Sequence, residues 1–227
     1  MKFIYQTLES EHYIFNFLED SFAAEHIEEI VLIQEQAFKK ITSFFKIDVS
    51  FKIVYYLLET PEQVGIAFGD NEACNGFAEE PNIIYAVYSK RIKCIGPHED
   101  AHIISYLLNK PTSAFVREGL AMYFDEYWWN KTNTIWVKEF LKAGNYVKIE
   151  ELIDDKNFFE HNDAITYPIS GAFTKFLIDT YGREKYTEFY RLKVDIRNAI
   201  TKTYGKSIEQ LEFDFLIHLD KFQIIAS

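Results

Sequence analysis

From Gly96 onward the apolar pattern of this chain is helical throughout, and that change limits the fold more than any other feature. Before it, Phe51–Leu58 and Asn82–Ser89 are near-continuous apolar runs rich in β-branched and aromatic residues, the pattern of buried strands. The opening, Lys2–Phe17, alternates loosely and predicts one or two further strands. Ser21 stands where it would cap an amphipathic helix reaching about Phe45, with Ile27, Ile30, Phe38 and Ile41 among its apolar positions. Thr60 followed by Pro61 reads as a cap and the first position of a short helix, and Gly69–Gly76 as irregular chain.

After Gly96 the period is helical to the end. Helices are predicted from Pro97 to about Asn109, from about Ser113 to Trp129, and over 134–143, 165–181 and 183–200. Ser207 and Gln210 form a capping box ahead of a last helix over 208–222. Trp128 and Trp129 end the second of these helices and are expected in the core. The reading is an α+β fold, a single domain over 1–227. Within it, residues 1–95 carry a mixed β-sheet with helices and residues 96–227 are all-helical, and the active-site cleft is expected between the two. Only nine Gly and five Pro in 227 residues agree with long helices.

Charge narrows the function. With 24 Lys and Arg against 35 Asp and Glu, the chain carries a net −11 at pH 7. A groove that follows a phosphate backbone needs clustered cations, so nucleic acid is excluded as the expected partner, and anionic membrane surfaces with it. The longest uncharged stretch, Ala164–Thr174, is far shorter than the roughly 20 apolar residues that span a bilayer. No apolar run of signal-peptide length opens the chain, so the expected location is cytoplasmic. Cys74 and Cys94 are too few for a disulfide framework and read as reduced thiols. The sequence leaves oligomeric state open.

The residues that carry chemistry are His98-Glu99-Asp100-Ala101-His102. Helix positions four apart lie about 40° apart on one face, so both imidazoles can hold one Zn²⁺. Glu99, beside the first histidine, can take a proton from a water at the metal without ligating it, which hydrolysis requires of a general base. Pro97 opens the helix, and Ile103, Ile104, Leu107 and Leu108 continue it as a buried element. A third protein ligand is needed. His161, His218 and many carboxylates are open choices from spacing alone.

Phe115-Val116-Arg117-Glu118-Gly119-Leu120-Ala121 resembles the second segment of the gluzincin metallopeptidases, the zinc peptidases typified by thermolysin and aminopeptidase N. In that superfamily HExxH is followed by a glutamate on the next helix. The resemblance implies a zincin-like fold, a zinc-dependent peptidase acting on a peptide or protein substrate, and one Zn²⁺ held by His98, His102 and Glu118. Fifteen residues separate His102 from Glu118, somewhat fewer than in the aminopeptidases, and Phe115 stands where a Trp is usual. Gly119 and Ala121 would let this helix pack closely.

Two further segments are similar to the family's. Tyr167-Pro168-Ile169-Ser170-Gly171 resembles the phrase whose Tyr faces the zinc and hydrogen-bonds the oxyanion; no Lys occupies it here. His161 is the alternative oxyanion donor, since an imidazole serves the same purpose. Gly76-Phe77-Ala78-Glu79 is similar to the aminopeptidase phrase that pairs with extended substrate and grips its free amine; Gly76 and Glu79 match and Ala78 does not. An exposed strand there would bind peptide by β-addition. The rival expectation is a non-catalytic protein of metallopeptidase form that binds a peptide or protein partner in its cleft.

Overall fold

The computed structural model describes residues 4–69 and 71–225. It divides into two compact units, Met1–Tyr106 and Leu107–Ser227.

The first unit is built on a mixed sheet. Strands β1 (Tyr5–Glu9) and β2 (Tyr13–Leu18) form a hairpin. Helices α1 (Phe22–Glu25) and α2 (Ile27–Phe45) lead to β3 (Ile53–Leu58). Helix α3 (Pro61–Phe68) precedes β4 (Gly76–Glu79) and β5 (Ile83–Val87), and α4 (Pro97–Ser105) closes the unit. The strand order is β1-β2-β3-β5-β4, with β2–β3 and β3–β5 parallel and the two outer pairs antiparallel. Strand β4 therefore lies at one end of the sheet.

Period-two burial sets the register. Tyr13, Phe15 and Phe17 of β2 and Ile53, Tyr55 and Leu57 of β3 all face the buried side. Each fully buried aliphatic or phenyl side chain among them contributes about 1.5–3 kcal/mol over the exposed state. Helix α2 covers them with Ile30, Ala37, Phe38, Ile41 and Phe45, and with one polar side chain in that stripe, Gln34. Ser21 caps as expected, accepting from the Ala24 N–H, but the helix breaks at His26 before resuming. Thr60 caps α3, with Pro61 at its first turn.

The second unit is helical apart from one small hairpin. Helix α5 (Ala114–Asp125) is followed by β6 (Tyr127–Trp128), β7 (Lys131–Thr132) and α6 (Asn133–Ala143). Two short helices, α7 (Ile149–Leu152) and α8 (Asp155–Glu160), precede the long α9 (Asp163–Tyr181). Helices α10 (Arg183–Arg191), α11 (Ile196–Tyr204) and α12 (Ile208–Ile225) complete it. The Ser207–Gln210 capping box forms, each residue bonding the other's backbone N–H, at 2.9 and 3.3 Å.

Several expected boundaries move. The helix expected to run to Trp129 stops at Asp125, because Glu126 takes a left-handed φ of 67° and the chain turns into the hairpin. Trp129 is accordingly 78% exposed and not in the core. The stretch 183–200 is two helices, since the Asp195 carboxylate accepts from the Asn198 N–H and starts a new one. The helix from Pro97 ends at Ser105, short of Asn109. It also packs within the sheet-bearing unit, so the compact boundary falls after Tyr106, later than the composition change at Gly96.

Helices α5 and α9 meet at two glycines. A β-carbon on Gly119 would lie 2.6 Å from Thr174 Oγ1 and 2.9 Å from the Ser170 carbonyl oxygen. One on Gly171 would lie 2.6 Å from Met122 Cβ and from Asn133 Nδ2. The expected close approach at Gly119 is thus realised, against a helix with its own small residue. Among the described residues, no helix is long and apolar enough to cross a membrane.

Candidate metal centre

Helix α4 starts at Gly96, whose φ of 120° suits glycine, and Pro97 occupies the first turn, where a missing N–H costs no helical bond. His98 and His102 then stand one turn apart, with ring centroids 5.3 Å from each other. His102 is buried, and its Nδ1 lies 3.4 Å from the Tyr106 hydroxyl.

His98, His102 and Glu118 each offer a ligand atom, and the three atoms lie within 4.8 Å of one another. Two imidazoles and one carboxylate form a donor set that suits zinc in a site with an open position. Glu99 stays outside this set. Its carboxylate lies instead beside β4, where a β-carbon on Gly76 would be 2.8 Å from its Oε1.

The four residues Gly76, Phe77, Ala78 and Glu79 are strand β4 itself, antiparallel to β5 with Gly76 opposite Ala86 and Glu79 opposite Ile83. Phe77 is exposed, and its ring packs on Phe68 at 4.0 Å. The sheet edge expected beside the metal helix is therefore present, and at Gly76 it approaches the Glu99 carboxylate.

Tyr167 and His161 line one cleft. Tyr167 lies near the start of α9, its ring between Trp128 at 5.4 Å and Phe158 at 5.9 Å. With Phe159 and His161 it walls an open cleft of about 580 Å³. His161 ends α8, and its Nε2 lies 2.7 Å from Glu151 Oε1. Among the described residues, neither Cys74 nor Cys94 is in a disulfide.

The arrangement behind the motif was missed by sequence reasoning. Asp100, the middle residue of HEDAH, is fully buried. The Tyr13 hydroxyl donates to its Oδ2, the Tyr55 hydroxyl to its Oδ1 at 2.8 Å, and the Gln34 amide to its Oδ2 at 3.1 Å. Burial pushes the Asp100 carboxyl up to about 7, against the opposing pull of the two tyrosine hydroxyls. Burial, followed by the Asp100 charge, pushes both tyrosines well above 10. One signal was readable: a carboxylate and an amide at positions that the apolar period assigns to a core.

A second group, Glu11, His12 and Glu35, also has ligand atoms in mutual reach. Here Glu35 is already engaged, by His12 Nδ1 at 2.6 Å, the Ser10 hydroxyl and the His12 N–H. It ties the β1–β2 turn to α2.

No protein-family model matches the chain, and no curated protein matches it.

Proposed function

We propose that this protein is a zinc-dependent peptidase of the gluzincin type. The observation that carries the proposal is the convergence of His98, His102 and Glu118 ligand atoms within 4.8 Å, with Glu99 adjacent in sequence but outside the set. A site serving structure alone has no use for a base in that place. Zinc, when bound, supplies Lewis acidity toward a carbonyl and toward water.

The chain's own residues divide the remaining work. Glu99 accepts the proton of the attacking water and returns it to the leaving amine. Strand β4 aligns an extended peptide through its outer edge, where Glu79, which the Tyr85 hydroxyl hydrogen-bonds, would meet a substrate amine. The Tyr167 phenol donates a hydrogen bond to the oxygen on which negative charge develops.

Metal analysis of the purified chain tests the site, and peptide hydrolysis tests the activity. We expect stoichiometric zinc in the wild type and its loss in His98→Ala. Glu99→Gln should keep zinc and lose turnover. Absence of zinc from the wild type, or a metal content that His98→Ala leaves unchanged, refutes the site. A zinc-loaded wild type that binds peptides without cleaving them is instead a binding protein of the same form.

A further inference from the structure

Helix α4 is held at two points by one side chain. Gln34, buried in α2, accepts from the Gly96 N–H and donates to the Gly96 carbonyl at 3.2 Å. The same amide nitrogen also lies 3.1 Å from Asp100 Oδ2 and 2.7 Å from the Tyr55 hydroxyl, so its two hydrogens are shared among three acceptors. The N-cap residue and the residue one turn later are thus tied to the same group. The N-cap, a glycine, has no side chain to cap this end itself.

The direction of the tie matters. Successive helix residues turn by about 100°, so His98 and His102 each point about 160° away from Asp100, on either side of the opposite face. A single anchor would fix the helix's position and leave its roll free. Two anchors along one side, each hydrogen-bonded in the buried interior, fix the roll as well. The roll decides where both imidazoles and Glu99 point.

We propose that Gln34, Tyr13, Tyr55 and Asp100 are positioning residues that set the roll of α4 and so aim His98, His102 and Glu99. The inference rests on the reading of those residues as a metal site. It assigns to Asp100 and its partners no contact with substrate or metal.

The test compares Gln34→Met and Tyr55→Phe with Tyr88→Phe in the full chain. Tyr88 is a fair control, since its buried hydroxyl has no hydrogen-bond partner among the described residues and belongs to the same unit. Three readouts are taken: zinc affinity by chelator competition, the visible spectrum of the Co²⁺-loaded protein, and amide exchange over 96–102 without metal. We expect both anchor variants to bind zinc at least about 10-fold more weakly, the usual effect of removing support behind metal ligands. Their Co²⁺ bands should shift and their 96–102 amides exchange faster, while Tyr88→Phe matches the wild type in all three.

Folded anchor variants with wild-type zinc affinity and an unchanged Co²⁺ spectrum overturn the inference. Should Gln34→Met fail to fold, Tyr55→Phe decides by the same criteria. A wild type that takes up neither metal overturns the proposed function, and amide exchange over 96–102 then decides the anchor alone: faster in the anchor variants supports it, unchanged overturns it.

Discussion

Gly76 of the sheet-edge strand and Glu99 of the HEDAH helix approach so closely that a β-carbon on residue 76 would lie 2.8 Å from the Glu99 carboxylate. The contact is with the far end of a flexible side chain, so an alanine is accommodated by moving Glu99. Gly76 is not among the residues with positive φ, so the backbone itself accepts a side chain there. Gly76→Ala should therefore fold and bind zinc as the wild type does, while displacing the one carboxylate assigned to proton transfer. A displacement of that size lowers kcat by up to about 10²-fold. Steady-state kinetics beside a zinc assay checks this; unchanged kcat would remove Glu99 from the role.

The α5–α9 contact gives a prediction about stability alone. A methyl at residue 171 would meet Met122 Cβ and the Asn133 amide, both at 2.6 Å. That amide is occupied, donating to the Met122 carbonyl at 2.8 Å. Met122 Cβ is fixed to its own backbone and the Asn133 amide is held by that bond, so the substitution overfills the contact. Gly171→Ala should destabilise the protein by about 1–3 kcal/mol, read as a lower urea midpoint with an unchanged slope. A wild-type midpoint would mean that the helices separate freely.

What the sequence made legible follows from the range of the forces involved. The α3 cap and the Ser207–Gln210 box are local patterns, readable because a few neighbouring residues decide them, whereas β4 was expected only from its likeness to the aminopeptidase phrase. His98 and His102 were legible for the same reason, being one turn apart. Asp100 was not, because its three partners lie 45 to 87 residues away in sequence. Its bonds to Tyr13 and Tyr55 attach α4 to the sheet. Helices α7 and α8, of four and six residues, are shorter than the window in which a helical period registers. The break between α10 and α11 rests on the Asp195 cap, with neither Gly nor Pro to mark it. The turn at Trp129 is equally unmarked, a left-handed φ of 57° on a bulky residue.

Glu35 links acid stability to the turn before β2. Its burial alone would raise the carboxyl's pKa, but hydrogen bonds from the His12 side chain and backbone and from Ser10 outweigh that and hold it below the ordinary 4.5. The folded state then binds this proton less tightly than the unfolded chain does. The resulting stabilisation is present above about 4.5 and is lost as pH falls through the depressed value. Glu35→Gln should cost about 1.5–3 kcal/mol at pH 7, the range for hydrogen bonds to a charged group. The gap between variant and wild type should close as the pH is lowered below 4.5. Urea unfolding at stepped pH measures it, and a gap that is constant with pH would show that the charge is not what stabilises the turn.

Tyr167 and His161 were alternative oxyanion donors, and their surroundings now favour different outcomes for each. His161 is engaged with Glu151 at 2.7 Å and ends a six-residue helix. Tyr167 is carried by the 19-residue α9, whose neighbour α5 also carries Glu118, and Trp128 and Phe158 flank its ring. A donor on a rigid, packed element keeps its aim through the reaction, which is what stabilising a developing charge demands. Tyr167→Phe keeps the ring contacts and removes only the hydroxyl. It should lower kcat by roughly 10²–10³-fold with KM little changed, the cost of one oxyanion donor. His161→Ala should leave kcat as it is. The reverse pattern, a large loss at residue 161 and none at 167, would transfer the role to the histidine.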